Sequence, residues 1–469
     1  MMHDLYTAAN IVAATGGTLL TGAPEARFHA ISTDTRSIQP GDCFFALAGV
    51  HFDAHNFLDQ ALVRGATGLV VSREADLPTG FDAAIIRVDD TLQALGDLAR
   101  WTLRQRGVPV IAITGSTGKT TSKEMCMQIL EAHLPEQVLC SAGNFNNLIG
   151  LPLSVFQQTA AHQVVLLEMG MSMRGEIRRL AEIAEATIGV ITNVSAVHLE
   201  HLKTIGAVAE AKGELLENFG AGNIAVLNLD DERVARMAEG KPFRAVYFSA
   251  DPEANAEVKA LAIHTKGFEG IDVELFVAGQ LAKVALSTFG RHNVYNALAA
   301  AAAAHAFGVP LPAIVAGLEA FRPAAMRSKV LSIFGITVID DSYNANPRSM
   351  DAALSALNEL AKEGRKIAVL GDMFELGDES EAAHRRLGRH AAKMGLDRLI
   401  LLGDQAHFVA AGATEEQMDS AAVVKASDHA SIVNDLRETA LRGDVILVKG
   451  SRGMRMERVV RGLKGESLA

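Results

Sequence analysis

Residues 108–121 read VPVIAITGSTGKTT and carry the strongest local signal of the fold in this chain. Its first half is apolar and rich in β-branched side chains, which predicts a buried strand that ends at Thr114. A glycine-containing turn follows, and the next residues predict the start of a helix. A strand, a glycine turn and a helix N-terminus in this order form a phosphate site, because backbone N–H groups and the positive end of the helix point to one place.

The turn resembles the phosphate loop of nucleotide-binding proteins, with one departure. Lys119 would reach the β- and γ-phosphates, and the Thr120 hydroxyl would hold Mg²⁺. The strict pattern has a glycine where Ile113 stands, so this loop is a compact variant. The alternative is a turn that only caps a helix, and the Lys-Thr-Thr that follows argues against it. The candidate nucleotide contacts are the consecutive residues Gly115, Ser116, Thr117, Gly118, Lys119, Thr120 and Thr121.

Similar apolar runs recur along the rest of the chain, with helix-like segments between them. They lie at 164–168, 188–193, 224–229, 336–339, 367–370, 399–402 and 445–448. Strands that alternate with helices predict mostly parallel sheets with both faces covered. Ligands bind beyond the carboxyl ends of such strands, so we expect Glu168, Asn193 and Asn228 to face one crevice.

The predicted fold class is α/β with three domains, a number that also fits the length of 469 residues. Residues 1–107 are expected to form a small mixed α/β domain, which begins with a helix over 5–14. Residues 108–323 form the central parallel-sheet domain with the phosphate loop. Residues 324–469 form a Rossmann-like α/β domain, and Pro323 interrupts the pattern at the boundary.

Composition excludes several classes of protein. Hydrophobic residues make up 49% and charged residues 21%, as in ordinary globular proteins, and 44 basic against 55 acidic residues give a net charge of −11. This charge argues against binding to nucleic acid or anionic membranes. No lysine or arginine precedes Arg27, and no apolar run reaches the length of a membrane span. With only three cysteines, Cys43, Cys126 and Cys140, we expect a cytoplasmic protein without a disulfide framework.

Further segments, in a fixed order after the loop, resemble the Mur ligases of peptidoglycan synthesis over essentially the whole chain. They are Gly143–Asn147, Glu168–Gly170, Asn193–His198, Ala211–Glu214, Arg291–Ala297 and Met326–Arg327. Other segments resemble one branch of this family, and they are Ser32–Arg36, Gly41–Leu47, Asp340–Pro347, Val369–Gly377 and Val448–Arg452.

The resemblance to that branch implies an ATP-dependent amide-bond-forming ligase. Its small-molecule substrates would be UDP-N-acetylmuramoyl-tripeptide and D-alanyl-D-alanine, and its products UDP-N-acetylmuramoyl-pentapeptide, ADP and phosphate. The acceptor carboxylate would first attack the γ-phosphate of ATP to give an acyl phosphate. Cations must screen the two anions that meet in this step. The enzyme is expected to act as a monomer.

The resemblance also implies the catalytic set Lys119, Glu168, His198 and Lys212. Glu168 would join Thr120 on one Mg²⁺, and His198 would bind a second Mg²⁺ beside a carbamylated Lys212. The residues alone leave other interpretations open. Glu168 could be a surface carboxylate at a strand end, His198 a surface histidine, and Lys212 a lysine on a solvated helix face.

The remaining nucleotide contacts that the resemblance implies are Asn296 on adenine, Arg327 on the γ-phosphate and Asp341 on the ribose. Arg327 and Asp341 belong to the third predicted domain, so both contacts need that domain to close over ATP. By residue type alone, Asn296 could be a helix cap, Arg327 a surface guanidinium and Asp341 the cap of a turn.

For the other substrates, the resemblance implies three groups of contacts. They are Thr33, Asp34 and Arg36 for the uridine nucleotide, Asn144 and Asn147 for the sugar and peptide, and Tyr343, Asn344 and Asn346 for D-alanyl-D-alanine. The first group could also be a polar turn with an internal Asp–Arg pair, and the last an asparagine-rich turn before Pro347.

Four rival functions stay open at this point. Two are relatives with the same type of loop, namely the ligase that adds the third amino acid and folylpolyglutamate synthase. The other two are a phosphotransferase or switch-type NTPase, and a non-catalytic sensor of uridine nucleotides. Dependence on D-alanyl-D-alanine would separate the proposed ligase from its two relatives. A phosphotransferase or NTPase would give a phosphorylated product or hydrolyse ATP without an amine substrate, and a sensor would tolerate the loss of Lys119.

Overall fold

The computed structural model describes residues 5–49, 52–73 and 82–467. These residues form three β-sheets of five, nine and six strands, which follow one another along the chain. The predicted α/β class with three domains is confirmed. Residues 1–4, 50–51 and 74–81 of the predicted first domain, and 468–469 of the third, lie outside the described residues.

The first sheet has the strand order β1-β5-β4-β3-β2, with β1 antiparallel to β5 and the other pairs parallel. Its strands are Thr18–Thr21 (β1), Ile31–Ser32 (β2), Cys43–Phe45 (β3), Gly68–Val71 (β4) and Ala84–Arg87 (β5). Its helices are Ala8–Thr15 (α1), Leu58–Val63 (α2) and Thr91–Arg106 (α3). The first helix starts later than expected because the Thr7 hydroxyl accepts a hydrogen bond from the Asn10 N–H and caps it there.

The second sheet has nine strands in the order β14-β13-β12-β11-β10-β9-β6-β8-β7. The strands are Val110–Thr114 (β6), Val138–Cys140 (β7), Val164–Glu168 (β8), Ile188–Ile191 (β9), Ile224–Asn228 (β10), Arg244–Ser249 (β11), Val258–Thr265 (β12), Ile271–Val277 (β13) and Gln280–Leu286 (β14). The helices are Lys119–His133 (α4), Gly150–Val155 (α5), Glu176–Ala184 (α6), Leu199–Leu202 (α7), Ile205–Gly213 (α8), Glu232–Ala235 (α9), Arg291–Phe307 (α10) and Leu311–Ala320 (α11).

Strand β6 marks the point where the chain order reverses. It pairs in parallel with β8 on one side and with β9 on the other. A crevice opens at the carboxyl end of a strand with this position, since the connections leave it in opposite directions. The phosphate loop follows β6 directly and therefore lies in this crevice.

Part of the central sheet was not predicted from the apolar runs. Strands β12, β13 and β14 form an antiparallel meander that extends the parallel part. Strand β13 alternates between buried and half-buried residues, and most residues of β14 are exposed, so these strands do not form continuous apolar runs. Helix α10 packs against the sheet through the fully buried alanines Ala299–Ala304.

Helices α4 and α11 approach so closely at Gly317 that a side chain does not fit. A Cβ atom there would lie 2.3 Å from the Cα atom of Ile129. We expect Gly317→Ala to lower the free energy of unfolding by about 3 kcal/mol, because backbone atoms must move to make room. Denaturant unfolding measures this change.

The matched control is Gly206→Ala in α8, where the nearest atom lies 3.7 Å from the added Cβ. We expect this variant to be as stable as the wild type or more stable by up to about 1 kcal/mol. Equal stability of the two variants would contradict the close approach of the helices.

The third sheet has the order β15-β16-β20-β17-β18-β19, and it is parallel except for the hairpin of β15 and β16. Its strands are Lys329–Ile333 (β15), Ile336–Asp341 (β16), Lys366–Gly371 (β17), Arg398–Leu402 (β18), Val423–Lys425 (β19) and Val445–Lys449 (β20). Its helices are Pro347–Leu360 (α12), Ser380–Lys393 (α13), Ala406–Glu415 (α14), His429–Thr439 (α15) and Glu457–Leu463 (α16). Separate apolar clusters cover its two faces.

Short 3₁₀ turns connect several of these elements, and they are Ala54–Phe57, Glu214–Leu216, Arg236–Ala238, Gly267–Glu269, Gly377–Glu379, Ser420–Ala422 and Arg452–Met454. Within the described ranges, every helix is too short or too polar to cross a membrane. The domain boundaries at 107/108 and 323/324 stay a proposal. The first follows helix α3, which Gly107 ends in the left-handed conformation, and the second lies in the loop between α11 and β15.

Candidate active site

A cavity of about 630 Å³ lies between the central and the third domain. The phosphate loop and the strand ends at Glu168, Asn193 and Asn228 line it from the central domain, as the sequence predicted. Arg327, Asp341 and other residues line it from the third domain. Residues of both domains therefore line one cavity, as contacts from both domains to a single nucleotide require.

Two glycines of the phosphate loop allow its tight path. Gly115 and Gly118 have φ angles of 150° and 81°, in the region that favours glycine. A Cβ atom would lie 1.9 Å from Oγ1 of Thr192 at Gly115, and 2.1 Å from Oδ1 of Asn296 at Gly118. Any side chain at these positions would displace residues that line or support the cavity.

Asn193, at the end of β9, holds the loop in shape. Its Oδ1 accepts hydrogen bonds from the backbone N–H and the hydroxyl of Thr117, at 3.1 and 3.0 Å. Its Nδ2 donates to the Thr117 carbonyl at 3.0 Å, and its own carbonyl accepts from the Ser116 N–H at 2.9 Å. The loop is thus preorganised by a neighbouring strand.

Lys119 folds back over the loop, and its Nζ donates to the Gly115 carbonyl at 2.8 Å. Thr120 and Thr121 line the same cavity. Burial lowers the pKa of Lys119, the nearby Glu168 carboxylate opposes this, and the Arg327 guanidinium lowers it further. A bound phosphate would supply the missing negative charge at this place.

Glu168 is a buried carboxylate, 2% exposed, with one oxygen free for a ligand. Its Oε1 accepts from Nδ2 of Asn146 at 2.8 Å, and Lys123 Nζ lies 4.0 Å from Oε2. Among the described residues, Oε2 has no hydrogen-bonding partner. A buried carboxylate oxygen without a hydrogen-bonding partner, in a cavity that Thr120 also lines, fits Mg²⁺, which prefers oxygen donors and often shares them with substrate phosphates. The interpretation of Glu168 as a surface carboxylate is wrong.

His198 lies at the edge of the cavity, just before α7, with a φ angle of 54°. Its Nδ1 forms a hydrogen bond with the carboxylate of Glu375 in the third domain. This hydrogen bond lowers the pKa of Glu375, while burial opposes the shift. The two residues form a polar contact between the domains, in the lining of the cavity that the phosphate loop also lines.

Lys212 is buried, with 1% of its surface exposed, so the interpretation as a solvated lysine is wrong. It lies on α8 behind the cavity and does not line it. Burial lowers its pKa far below the ordinary value, and the positive charge of Lys119 adds to this. The neighbouring Glu210 is exposed and pairs with Arg174 at 3.1 Å, so it does not neutralise Lys212.

Asn296 is buried inside α10 and lines the cavity, so it is not a helix cap. Its Nδ2 donates to Oδ1 of Asn293 at 2.9 Å. Asn293 in turn donates to the Thr288 hydroxyl and to the Phe289 carbonyl, both at 2.9 Å. Asn293 therefore orients Asn296.

Arg327 lies between Met326 and Ser328, which both have positive φ angles, 62° and 55°. Its guanidinium lies 3.9 Å from the centroid of the Tyr343 ring. Oδ1 of Asp341 accepts from the Ser328 N–H at 2.9 Å, and its Oδ2 accepts from Lys449. Asp341 thus caps the turn that holds Arg327, in addition to lining the cavity.

The asparagines predicted for the substrates line the same cavity, but most also stabilise the backbone. Oδ1 of Asn147 accepts from the Gly150 N–H at 2.8 Å, at the start of α5. Asn346 caps α12 through the Ser349 N–H, and Oδ1 of Asn344 accepts from the Arg452 N–H at 3.2 Å. Asn144 and Tyr343 complete this part of the lining.

Thr33, Asp34 and Arg36 are not brought into the cavity. They follow β2 in the first domain, where Arg36 donates to both carboxylate oxygens of Asp34, at 2.9 and 2.7 Å. These hydrogen bonds lower the pKa of Asp34 to about 2. The structure thus shows the internal Asp–Arg pair, with Arg36 85% exposed.

Comparison with known proteins gives the family. Three family models match consecutive parts of the chain, described as "Mur ligase family, catalytic domain" over residues 27–101, "Mur ligase middle domain" over 113–304 and "Mur ligase, glutamate ligase domain" over 326–452. A protein of Escherichia coli is 37% identical over 93% of both chains.

The chain belongs to the Mur ligase family.

The E. coli relative carries the name UDP-N-acetylmuramoyl-tripeptide–D-alanyl-D-alanine ligase, and so does a Bacillus subtilis protein that is 33% identical over 97% of this chain and 98% of its own. Among solved structures, MurF from Acinetobacter baumannii superimposes with a TM-score of 0.90 at 32% identity, over 99% of this chain and 100% of its own. MurF from Thermotoga maritima in complex with ADP has a TM-score of 0.82 at 28% identity, over 93% and 97% of the two chains. The predicted resemblance is confirmed.

Three residues of this Mur ligase site were not singled out from the sequence. They are Asn146, Asn293 and Glu375. Each lies within a segment that carries the family resemblance, so the sequence did mark these positions. Their roles could not be assigned because the side chains that they contact become known only from the packing of the structure.

Proposed function

We propose that this Mur ligase joins D-alanyl-D-alanine to UDP-N-acetylmuramoyl-tripeptide at the expense of ATP, in the synthesis of peptidoglycan precursors. The observation that carries the proposal is the meeting of Lys119 and Arg327 across one cavity. Two cations from different domains suit a transferring phosphoryl group, whose negative charge needs fixed partners. The full-length relatives with this activity in their names support the choice of substrates.

The chemistry has two steps. A carboxylate oxygen of the tripeptide attacks the γ-phosphorus, the bond to the ADP oxygen breaks, and an acyl phosphate forms. The amine of D-alanyl-D-alanine then attacks the acyl carbon, loses a proton and expels phosphate. Lys119 and Arg327 stabilise the charge of the first step, and the closed third domain excludes water from the acyl phosphate.

Mg²⁺ would neutralise phosphate charge at two places. The Thr120 hydroxyl and Oε2 of Glu168 would hold the first ion. His198 would hold the second, beside a carbamate on Lys212. A buried lysine with a strongly lowered pKa suits carbamylation, because the neutral amine is the form that reacts with CO₂. Carbamylation would also replace a buried cation by an anion that a metal can neutralise.

The other ligand contacts are proposed as follows. Asn296 would meet adenine, Asp341 the ribose and the loop residues the phosphates. Thr33, Asp34 and Arg36 would hold the uridine nucleotide outside the cavity, and Asn144 and Asn147 the sugar and peptide. Because the reaction consumes ATP and a UDP-linked precursor, we expect it in the cytoplasm, and we expect the enzyme to act as a monomer.

The test is phosphate release from ATP with each substrate omitted in turn, with the products followed by mass. Release should need UDP-N-acetylmuramoyl-tripeptide and D-alanyl-D-alanine together, and the product should be heavier by one dipeptide less water. Release without the dipeptide, or a lasting phosphorylated product, would move the protein to another reaction class.

Substitution of Tyr343 tests whether its ring keeps Arg327 in position. The ring stacks on the Arg327 guanidinium at 3.9 Å, and such a contact contributes about 0.5–2 kcal/mol. We expect Tyr343→Leu to lower kcat by about 10-fold and Tyr343→Phe to keep it, because phenylalanine retains the ring. Steady-state kinetics with each substrate varied measure both.

The same two variants test the proposed contact of Tyr343 with D-alanyl-D-alanine. If the phenolic hydroxyl binds the dipeptide, Tyr343→Phe will raise the KM for the dipeptide alone. A Leu variant with normal kcat would contradict the role of the ring in placing Arg327.

A further inference from the structure

The contact between His198 and Glu375 joins the central and third domains, and both residues line the cavity of the phosphate loop. Besides the side-chain hydrogen bond, the Glu200 N–H donates to the Glu375 carbonyl at 3.1 Å. The segment after Glu375 also packs closely, since a Cβ atom on Gly377 would lie 3.0 Å from the Cα atom of Glu200. The contact is therefore a packed interface of two chain segments.

The loop that carries Glu375 is anchored within its own domain. The Met373 N–H donates to Nε2 of the fully buried His384 at 3.0 Å. The Phe374 N–H donates to the Ser451 hydroxyl at 2.8 Å. Glu375 itself has a φ angle of 63°, which a residue with a side chain adopts only when its surroundings impose it. The loop thus presents the carboxylate in one place.

The partner residue is held in a similar way. His198 has a φ angle of 54° and lines the cavity. Within the described ranges, only Nδ1 of its two ring nitrogens has a hydrogen-bonding partner. Histidines that bind a metal usually donate the other ring N–H to a carboxylate or a carbonyl, which fixes the tautomer and the direction of the ring.

We propose that Glu375 is a positioning residue that completes the second metal site when the third domain closes. Its carboxylate accepts the Nδ1–H of His198, so Nε2 keeps its lone pair for the metal. This proposal rests on the proposed function, in which His198 holds the second Mg²⁺. It implies that the metal site is complete only while the domain that brings the amine substrate is closed.

The first test is the turnover of three variants. We expect Glu375→Ala to lower kcat by about 10- to 100-fold, the usual effect of losing such a partner, and to raise the Mg²⁺ concentration for half-maximal rate. Glu375→Gln should be only several-fold slower, because its amide oxygen still accepts the N–H. The matched control is Glu379→Gln, an exposed carboxylate on the same loop, which lies 4.0 Å from Arg386 and should have normal turnover.

The second test needs no turnover, so it remains valid if the proposed reaction is wrong. Mn²⁺ is titrated into the full-length enzyme with ADP and UDP-N-acetylmuramoyl-tripeptide, and free Mn²⁺ is read by electron paramagnetic resonance. We expect two classes of bound Mn²⁺, one of which Glu375→Ala weakens by about 10-fold. His198→Ala should weaken the same class, and adding Glu375→Ala to it should have no further effect, because Glu375 acts through His198.

Two results would overturn the proposal. In the first, Glu375→Ala binds Mn²⁺ as tightly as the wild type, but its turnover is slower. Fluorophores attached to the central and third domains would then lie farther apart than in the wild type. Glu375 would then serve closure alone. The other is an additive effect of the two substitutions on Mn²⁺ affinity, which would show that Glu375 acts independently of His198.

Discussion

Replacement of Lys119 by methionine is expected to reduce the rate of ATP-dependent ligation by about 1,000-fold or more. The ammonium group is tied to the Gly115 carbonyl at 2.8 Å, so it is already aimed at the site of the phosphates. In the transition state, negative charge spreads over the transferred phosphoryl group. Methionine has similar length and no charge, so it removes this stabilisation and little else.

The loss should appear mainly in kcat, because the interaction is stronger in the transition state than with bound ATP. The control is Lys283→Ala on the edge strand β14, where the lysine is exposed and far along the sheet from the loop. It should keep wild-type kinetics. If Lys119→Met retains a rate within 10-fold of the wild type, the loop is not the phosphate site.

Replacement of Lys212 by alanine is expected to lower turnover by about 100-fold or more, with partial recovery when small carboxylates are added. The lysine is 1% exposed, and its pKa lies far below the ordinary value. The neutral amine can attack CO₂ and lose a proton, which gives a carbamate with a negative charge. A small carboxylate in the space left by the side chain would restore that charge.

Glu210→Ala is the neighbouring control, since Glu210 is exposed on the same helix and should not affect turnover. Removal of CO₂ and bicarbonate should inactivate the wild type reversibly and leave Lys212→Ala unchanged. Full activity of Lys212→Ala, or a loss that no carboxylate restores, would contradict the carbamate.

The sign of the pH effect on stability follows from the lowered pKa of Lys212. In the unfolded protein, this lysine regains its ordinary pKa of about 10.4. At pH values between the folded and the unfolded pKa, the unfolded protein therefore binds more protons than the folded protein. In CO₂-free buffer, the wild type therefore loses stability as the pH falls toward the folded pKa, and Lys212→Met does not. The free energy of unfolding should be measured for both proteins at pH 9 and pH 7. The methionine variant should exceed the wild type by more at pH 7 than at pH 9.

Much of the site could be predicted from the sequence, because the geometry of a turn depends mainly on the residues within it. The order of strand, glycine turn and Lys-Thr-Thr predicts the phosphate loop, since glycine alone accepts the φ angles of Gly115 and Gly118. The pair of Asp34 and Arg36 is two residues apart and was foreseen as one interpretation. Alternating strands and helices predicted the parallel sheets and the crevice at their carboxyl ends.

The burial of individual side chains could not be predicted from the sequence in this way. Lys212 stands between Glu210 and Glu214 and looks like part of a solvated face. In the structure, Glu210 is exposed and pairs with Arg174. Glu214 points inward and accepts hydrogen bonds from the backbone N–H groups of Gly175 and Arg178. Lys212 is therefore buried without a charge partner from either glutamate. The antiparallel meander of the central sheet was missed as well, because half-buried and exposed residues interrupt its apolar pattern.

The sequence was therefore sufficient to predict the α/β class, the order of the three domains, the phosphate loop and the family, because these depend on short patterns of residues. The three-dimensional fold was needed to show that Lys212 is buried, that Oε2 of Glu168 has no hydrogen-bonding partner among the described residues and that Glu375 meets His198. The pKa of a side chain and the partners it can reach depend on every segment packed around it. Those segments come from distant parts of the chain, so no local pattern contains them.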